Sequence, residues 1–491
     1  MGGGQIQLVT YGAQDLYLTG NPQITHFKTV YRRYTNFALE SVMQPFNTSA
    51  GYGKVVSAKL SKLGDLVYTM DIRIKLKSVP SNGTDAFRWL NWLGHILIEY
   101  AEIEIGGQRI DRHYGHWLHI WNELTQTSGH QSGYARLNGN VPRLVQSTTG
   151  DIPSVVLYIP LQFWFNRNPG LALPLIALQY HDVNVNIKFA DREKCYWTNG
   201  NRIPDEIENA ELWVEYVYLD KDERTKFAQN PHEYLIEQVQ FNGAQTYTGP
   251  QTAWNYRMAF NHPVKEVIWT VQKDSVVDIT QTADYGGPQW FNYSDALDYT
   301  YFSGTPSDPL GGGIGTAAFG GGNWPHNMPM SGYVTDTSNI ILGSFSNISV
   351  LNYNDLFGTS SSTSSRAWTA QLPVFDSGEN PIVSAKIQLN GQDRFMTREG
   401  LYFNTVQPLY RHNNCPAVGI NVYSFALNPE NFQPSGSCNF TRVDIATLQF
   451  ELTDNSVTNG ESVDSVKLRV YGVNYNILRI MSGMGGLAFN N

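Results

Sequence analysis

The sequence predicts an all-β fold with a few short helices, and three observations lead to this prediction. Apolar residues recur at every second position in several segments, which is the spacing of a strand with one buried face. The 44 glycines and 23 prolines among 491 residues indicate many turns. Segments with helical spacing are scarce. Strands that bury one face and expose the other favour antiparallel sheets packed as sandwiches over a parallel α/β sheet.

Three segments show the alternation most clearly, and each predicts one strand. They are residues 66–76, 183–189 and 212–218. In the first of them the even-numbered positions are all apolar except Tyr68, so they define the buried face. The best helix candidates are residues 85–97 and 113–124.

The length of the chain and a faint internal repeat predict two similar β domains. Three pairs of segments keep their order in the two halves: 103–109 with 387–393, 183–189 with 443–449, and 212–216 with 468–472. The first pair is a strand that enters a tight glycine turn, so we expect Gly107 and Gly391 at equivalent turns. The charged stretch 220–231 is the predicted connection between the domains.

Charge is concentrated in one segment of the chain. The net charge is −9, and residues 273–379 contain ten acidic and two basic residues. The rest of the chain is nearly neutral, so the sequence lacks the basic surface that a nucleic-acid-binding protein needs. The segment also holds two glycine triplets and a Ser/Thr run at 359–365, which are typical of elaborated loops. We expect this acidic segment to face solvent.

The sequence offers no convincing catalytic, cofactor or metal site. His113, His116 and His119 could share a helix face and bind a metal, but no nearby Cys or Glu completes the set, so histidines packed among aromatic residues are the preferred interpretation. The glycine triplets lack the Lys-Ser/Thr of a phosphate loop, and no Gly-x-Ser-x-Gly elbow occurs. Cys195, Cys415 and Cys438 are few and odd in number, which predicts free thiols.

A long run near the N-terminus resembles a known family. Residues 8–25, LVTYGAQDLYLTGNPQIT, are similar to the opening of major capsid proteins of nucleocytoplasmic large DNA viruses. Further similar segments are IGGQ at 105–108, NPGLALPLIALQ at 168–179, YSFAL at 423–427, QPSGSCNF at 433–440, NYNILRI at 474–480 and GMGGL at 483–487. The acidic segment shows no such similarity.

This resemblance implies a double jelly roll, that is, two tandem eight-stranded antiparallel jelly rolls with short helices and long loops. The implied domains are an N-terminal arm at 1–24, a first jelly roll at 25–225, and a second at 226–491 that carries the insertion 273–379 and a C-terminal tail. Glycine and proline interrupt the arm, so it cannot be one regular element. We interpret it as a segment that contacts neighbouring subunits, and the alternative is a strand of the first jelly roll.

The resemblance also implies a structural function without catalysis. Homotrimers would form pseudo-hexagonal capsomers that tile an icosahedral shell around an internal membrane. The implied partners are neighbouring capsomers, minor capsid and penton proteins and, indirectly, internal membrane proteins, with no direct nucleic-acid contact. The implied location is the outer shell of the virion, after synthesis and assembly in the host cytoplasm.

Two further points stay open at the level of sequence. Some relatives carry glycans, so Asn292 and Asn347 in the acidic segment are candidate glycosylation sites.

Two other functions are compatible with an aromatic-rich sandwich. One is a minor capsid, vertex or scaffold protein of the same lineage, and the other is a carbohydrate-active or lectin-like protein.

Overall fold

The computed structural model describes residues 2–283, 286–297, 379–459 and 462–489, together with the backbone of three short strands at 334–336, 339–340 and 351–352. The chain divides into two compact units, Met1–Phe37 and Ala38–Asn491. The first unit contains two short helices, α1 (Gly3–Val9) and α2 (Leu16–Thr19), neither of which buries a residue. Residues 2–36 contain no strand, so the alternative of a jelly-roll strand in the arm is wrong.

The first half of the second unit is built from two main antiparallel sheets, one of five strands and one of four. Its strands are β1 (Phe37–Gln44), β2 (Val55–Lys59), β3 (Leu66–Leu76), β4 (Phe87–Trp89), β5 (Ile98–Ile105), β6 (Gln108–Tyr114), β7 (Val155–Pro160), β8 (Leu173–Pro174), β9 (Val183–Phe189), β10 (Tyr196–Thr198) and β11 (Asn209–Leu219). One sheet has the order β1-β11-β3-β7 with β8 beside β3, and the other has the order β2-β9-β5-β6. Strands β4 and β10 form a separate ribbon.

The second half repeats this design. Its strands are β12 (His232–Phe241), β13 (Gln245–Thr248), β14 (Ala253–Arg257), β15 (Pro263–Lys273), β16 (Val334–Asp336), β17 (Asn339–Ile340), β18 (Leu351–Asn352), β19 (Ile382–Leu389), β20 (Gln392–Asp393), β21 (Arg398–Glu399), β22 (Ile420–Ser424), β23 (Cys438–Asn439), β24 (Ala446–Leu452), β25 (Thr458–Asn459), β26 (Ser462–Val463), β27 (Ser465–Met481) and β28 (Met484–Leu487). Its main sheets have the orders β12-β27-β15-β22 and β14-β24-β19-β20.

The two halves share one strand order. The eight principal strands of the first half are β1, β2, β3, β5, β6, β7, β9 and β11, and those of the second half are β12, β14, β15, β19, β20, β22, β24 and β27. When each set is numbered from 1 to 8 along the chain, both halves have the strand order 1-8-3-6 in one sheet and 2-7-4-5 in the other. Two packed four-stranded sheets joined in this way are a jelly roll. The predicted double jelly roll is therefore confirmed, as are the strands predicted at 66–76, 183–189 and 212–218.

The two glycine turns of the predicted repeat are confirmed, whereas one of its predicted strands lies three residues further along the chain. Gly107 and Gly391 both lie in the two-residue turn between the fourth and fifth strands, with φ of +81° and +82°. The residues before them, Gly106 and Asn390, also have positive φ, as a type I′ hairpin requires. The seventh strand of the second half is Ala446–Leu452, three residues later than the proposed 443–449, because a 3₁₀ turn at Phe440–Arg442 precedes it.

Replacing either turn glycine with alanine should lower the free energy of unfolding by about 1–2 kcal/mol, because a Cβ at positive φ meets the following carbonyl oxygen. Neither Gly107 nor Gly391 has a neighbour within contact distance of an added Cβ, so only backbone strain is tested. The matched control is Gly129→Ala, which is helical and equally open. The control should be neutral or stabilising by up to about 1 kcal/mol. Urea unfolding of the three variants measures the difference.

Helices are short and mostly belong to connections. The other α-helices among the described residues are α3 (Leu93–Leu97), α4 (Gly115–Thr125), α5 (Ser128–Leu137), α6 (Pro142–Val145), α7 (Trp164–Arg167), α8 (Lys221–Gln229), α9 (Asp274–Val277), α10 (Gln407–Arg411) and α11 (Asp454–Val457). Short 3₁₀ turns lie at Pro169–Leu171, Leu175–Ala177, Arg192–Lys194 and Phe440–Arg442, and a π turn at Tyr402–Val406. None of the described helices is long and apolar enough to cross a membrane.

One helix prediction is confirmed and one is wrong. The helix predicted at 113–124 is α4, whereas residues 85–97 contain the strand β4 and only the short α3. Phe87 and Trp89 pair with β10, and Trp92 has φ of +56°, which interrupts a right-handed helix. The predicted connection at 220–231 contains α8, whose first backbone N–H is capped by the side chain of Asp220.

Part of the acidic segment is buried, so the expectation that all of it faces solvent is wrong. Residues 286–295 are buried except Trp290. The carboxylate of Asp295 accepts hydrogen bonds from the Glu379 backbone N–H (2.8 Å) and the Thr453 hydroxyl (3.1 Å), and Lys273 donates to the Thr458 carbonyl (2.9 Å). Pairing of this kind makes buried charge tolerable. Residues 298–378, including the run at 359–365, lie outside the described residues apart from three short strand backbones.

Candidate functional site

The two jelly rolls meet along a buried aromatic junction. Trp117 of α4 and Tyr471 of β27 are both fully buried, with ring centroids 5.4 Å apart. Phe241 of β12 stacks on Tyr471 at 4.6 Å and contacts Tyr114 at 5.0 Å. A single continuous core contains residues of both halves. We call this region the junction, and its packing holds the two jelly rolls as one body because interiors of this kind resist deformation.

A buried ion-pair network crosses the junction. Glu237 of β12 accepts from Arg167 of the first half at 2.9 Å and from Lys265 of β15 at 2.6 Å. Lys265 is fully buried, and the Arg167 guanidinium lies 3.8 Å from the centroid of the Trp121 ring. Buried charges persist only when they are paired in this way. Local sequence patterns did not predict this network, although the adjacent residues Lys265 and Glu266 inside an apolar strand were a usable signal.

A second buried group lies next to this network. The Nε2 atom of His412 lies 3.3 Å from Oε2 of Glu266, and its Nδ1 atom lies 3.0 Å from Oε1 of Glu430. Burial raises the pKa of Glu266, and the nearby His412 and Lys265 act in the opposite direction. Polar side chains from three segments of the second half are thereby fixed close to the first half.

Glu123, near the end of α4 in the first half, forms hydrogen bonds with the loop at residues 414–417 of the second half. Its Oε2 accepts from the Ala417 N–H at 3.2 Å, and the Asn414 side-chain amide donates to its carbonyl at 3.1 Å. Burial raises the pKa of Glu123 to about 7. Its partner loop is nearly 300 residues away in sequence, so the sequence offered no signal for this contact.

The three histidines of the sequence motif are structural. His113 lies in β6, 2.9 Å from Asp111, and stacks on Phe163, whereas His116 and His119 lie in α4. The described residues contain no group of three or more His, Cys, Asp or Glu that could hold a metal ion. The predicted packing among aromatic residues is confirmed, and the shared helix face extends only to His116 and His119.

The C-terminal hairpin β27–β28 docks on the first jelly roll. The Tyr180 N–H donates to the Gly483 carbonyl at 2.9 Å, and the His181 Nδ1 lies 2.9 Å from the Gly485 carbonyl. A Cβ on Gly483 would lie 2.5 Å from the Tyr180 ring, and one on Gly485 would lie 2.6 Å from Leu178. The segments 168–179 and 483–487, both noted in the sequence, therefore meet, and their glycines allow the close approach.

Apolar side chains are exposed in the described part of each unit. In the first unit Leu18, Phe27 and Tyr31 are 85% or more exposed. In the second unit, β1 is an edge strand that pairs only with β11 among the described strands, and Leu39 and Met43 on it are about half exposed. Exposed strand edges and groups of exposed apolar residues are typical of surfaces that contact a partner.

One of the two candidate glycosylation sites, Asn292, is buried in the described structure. Asn292 is 6% exposed, and its amide nitrogen donates to the Gln289 side chain and the Ala296 carbonyl at 2.8 and 2.9 Å. Glycan attachment at Asn292 is therefore disfavoured in the folded chain. Asn347 lies outside the described residues. Cys195, Cys415 and Cys438 are free thiols, and burial raises the pKa of each.

Comparisons with known proteins match both halves. Residues 25–220 match the family model for the major capsid protein N-terminus, and residues 223–486 match that for the large eukaryotic DNA virus major capsid protein. The chain is 45% identical to the major capsid protein of Phaeocystis pouchetii virus and 39% identical to that of Paramecium bursaria Chlorella virus 1, in each case over 100% of both chains. A chain of the quasi-atomic PBCV-1 virus capsid is 32% identical, with a TM-score of 0.68, covering 95% of this chain and 100% of that one.

Proposed function

The chain belongs to the major capsid protein family of large eukaryotic DNA viruses, and from this premise we propose that three copies assemble into a pseudo-hexagonal capsomer of an icosahedral shell. The observation that carries the proposal is the repeated strand order, 1-8-3-6 and 2-7-4-5, in both halves. Two similar jelly rolls per chain supply six similar bodies per trimer, which is the number that a hexagonal lattice position needs. The buried junction would keep each pair rigid during assembly.

The exposed apolar regions supply contact surfaces for this assembly. Leu39 and Met43 on the edge strand β1 stay uncovered in the single chain. An obligate trimer is expected to bury such residues between subunits, because permanent interfaces are large and apolar. The exposed aromatic residues of the first unit fit contacts with neighbouring capsomers, in keeping with an N-terminal arm.

We further propose the organisation and setting that follow from this role. The arm would comprise residues 1–24, the first jelly roll 25–225 and the second 226–491, which carries the insertion 273–379. Minor capsid and penton proteins would be direct partners, internal membrane proteins indirect ones, and nucleic acid none. The chain would be made and assembled in the host cytoplasm and would act without catalysis.

The purified protein should sediment as a single species of three times the chain mass of 55.2 kDa, because the uncovered apolar surface makes the monomer unfavourable in water. Sedimentation velocity at micromolar concentration measures the mass, and electron-microscope images of the same sample should show hexagonal particles. A stable monomer in sedimentation would contradict the proposal.

A minor capsid or vertex protein of the same lineage would share this fold, so copy number separates the two. Quantitative mass spectrometry of purified virions should rank the chain as the most abundant shell protein. A few copies per virion would favour the minor-capsid alternative.

A further inference from the structure

The helix α4, which follows the fifth strand of the first half, has a counterpart at the same place in the second half. Residues 400–411, which contain the π turn and α10, follow the fifth strand and β21 there. Each segment begins with a glycine, Gly115 or Gly400, that lies close to the first residue of the fourth strand. An added Cβ at Gly115 would collide with the carbonyl oxygen of Ile98, and one at Gly400 with that of Ile382. The two segments therefore occupy equivalent positions in the repeat.

Within the chain, α4 packs on the outer face of the β12-β27-β15-β22 sheet of the second half. Trp117 contacts Tyr471 of β27, and Tyr471 belongs to the core shared by both halves, together with Ile268 of β15 and Val422 of β22. Val470, next to Tyr471 in the strand, belongs instead to the second half's own core. Eight of the eleven residues of α4 are buried. This helix is thus covered both by its own jelly roll and by the next one.

The counterpart of α4 is covered mainly on the side of its own jelly roll. Phe403 is fully buried in the core of the second half, with its ring centroid 5.1 Å from that of Trp269. Arg411 at the end of α10 donates to the Leu427 carbonyl at 3.1 Å, which brings Leu427 next to the helix. Four apolar side chains here are 61–74% exposed, and we call them the helix patch: Leu401, Leu409, Tyr410 and Leu427.

The sheet β1-β11-β3-β7 of the first half is the counterpart of the sheet that receives α4. Residues 39–42 of its edge strand β1, LESV, align with residues 236–239 of β12, IEQV. Ile236 is fully buried in the shared core, whereas Leu39 is 50% exposed. Three further apolar or aromatic side chains on the outer face of the sheet are partly exposed, namely Met43, Tyr158 and Trp213. The surface that accepts α4 within the chain therefore has a partly open equivalent on the first half.

Charge favours contact between these two surfaces. The outward-facing arginine and lysine of β3 are already paired with glutamates of their own half. Asp71 and Glu215 on the same face have no ion-pair partner among the described residues. Burial and the neighbouring Glu215 carboxylate raise the pKa of Asp71. Arg411 is the one charged residue of the segment 400–411, so the segment brings a cation to a face with unpaired carboxylates.

We propose that the helix patch of one subunit packs on the outer face of the β1-β11-β3-β7 sheet of a neighbouring subunit. The contact between subunits then repeats the contact that α4 makes between the two halves of one chain. Head-to-tail contacts close into a ring when their rotation is right. Three contacts within chains and three of the same kind between chains close a ring of six jelly rolls. This inference rests on the proposed trimer and names the surfaces that form it.

The first test replaces two residues of the helix patch together, Leu409→Glu and Tyr410→Glu, in the full-length protein. Both side chains are exposed in the single chain, so the midpoint of thermal unfolding of the monomer should stay in the range of unmodified exposed positions. Two carboxylates buried between subunits should weaken trimer association about a hundredfold or more. Sedimentation velocity at micromolar concentration should therefore show a monomer for this variant and a trimer for the parent protein.

The matched control is Tyr180→Glu. Tyr180 is 76% exposed, close to the 74% of Tyr410, but it lies beside Gly483 of the C-terminal hairpin and outside both proposed surfaces. The control should remain a trimer. A double variant that also remains a trimer would overturn the inference.

A cross-linking experiment tests the same contact without weakening it. Leu39→Cys and Leu409→Cys are introduced into one chain in which Cys415 and Cys438 are replaced by serine, and the protein is treated with a short bismaleimide. Denaturing electrophoresis should show covalent dimers and trimers, whereas the control pair Tyr180→Cys with Leu409→Cys should give single chains. A trimeric parent protein whose Leu39→Cys, Leu409→Cys variant gives only single chains would overturn this inference and leave the capsomer proposal standing. A monomeric parent protein would overturn both.

Discussion

Lys265→Ala should lower the free energy of unfolding by about 3–5 kcal/mol, the usual cost of removing one partner from a buried ion pair. Lys265 is fully buried, with Nζ 2.6 Å from Glu237 and 2.5 Å from the Pro429 carbonyl. Without the ammonium group, Glu237 keeps only Arg167 as a cationic partner, and the Pro429 carbonyl loses its charged donor.

The measurement is urea unfolding followed by tryptophan fluorescence. The matched control is Lys386→Ala, which removes a pair with Asp393 at 3.1 Å whose side chains are 25% and 45% exposed. Partly exposed pairs contribute about 1 kcal/mol or less. If the two variants lose similar small amounts of stability, the junction network does not stabilise the fold as described.

The strands were predictable where one face is buried and the other is exposed to solvent. In β3 and β9 the buried residues alternate with partly exposed ones along the whole strand, so the period of two is visible in the sequence itself. The turns at Gly107 and Gly391 were predictable for a similar local reason, since a two-residue hairpin with positive φ selects glycine. Local rules of this kind made the jelly-roll repeat detectable.

The same rule fails for the strands at the junction. Strand β15 is buried at nearly every position, because one face packs in the core of the second jelly roll and the other against the first. Lys265 and Glu266 therefore occupy buried positions on both faces, which alternation alone does not predict. Their partners lie in other segments, and pairing over such separations depends on the assembled fold.

The helix error at 85–97 has a similar origin. Phe87 and Trp89 are buried against β10, more than a hundred residues later, and this contact outweighs the local helical spacing. Tertiary context overrides weak propensities routinely. The buried part of the acidic segment was missed because the pairing of Asp295 and Lys273 with distant backbone groups is not visible in a local charge count.

The buried histidines should make the protein sensitive to acid. His119 stacks on Phe291 at 4.3 Å, and the Tyr134 hydroxyl is 2.9 Å from His95 Nε2. His116 Nδ1 lies 2.9 Å from the hydroxyl of Tyr293. Burial lowers the pKa of His95 to about 3 and the pKa values of His116 and His119 well below the ordinary value; the nearby Arg469 lowers that of His116 further.

The sign of the effect follows from proton uptake. Below about pH 6.5 the unfolded chain protonates these histidines, while burial in the folded chain holds the pKa of His95 at about 3 and the pKa values of His116 and His119 well below 6.5. The unfolded state then binds more protons, so stability is full above pH 6.5 and falls as the pH decreases. Each histidine contributes a slope of about 1.4 kcal/mol per pH unit, and three contribute about 4 kcal/mol per pH unit.

The variant His119→Phe isolates one of the three contributions. A phenyl ring preserves the stack on Phe291 and removes one titrating group, so the loss of stability between pH 7 and pH 5 should shrink by about 2 kcal/mol. The control Phe291→Leu weakens the same contact without removing a titrating group, so it should lower stability equally at both pH values. Urea unfolding at pH 7 and pH 5 measures both variants against the parent protein. A parent-like pH dependence in His119→Phe would mean that His119 is protonated, or open to water, in the folded chain. The packing of the α4 histidines against residues 286–297 would then be looser than the distances between their rings indicate.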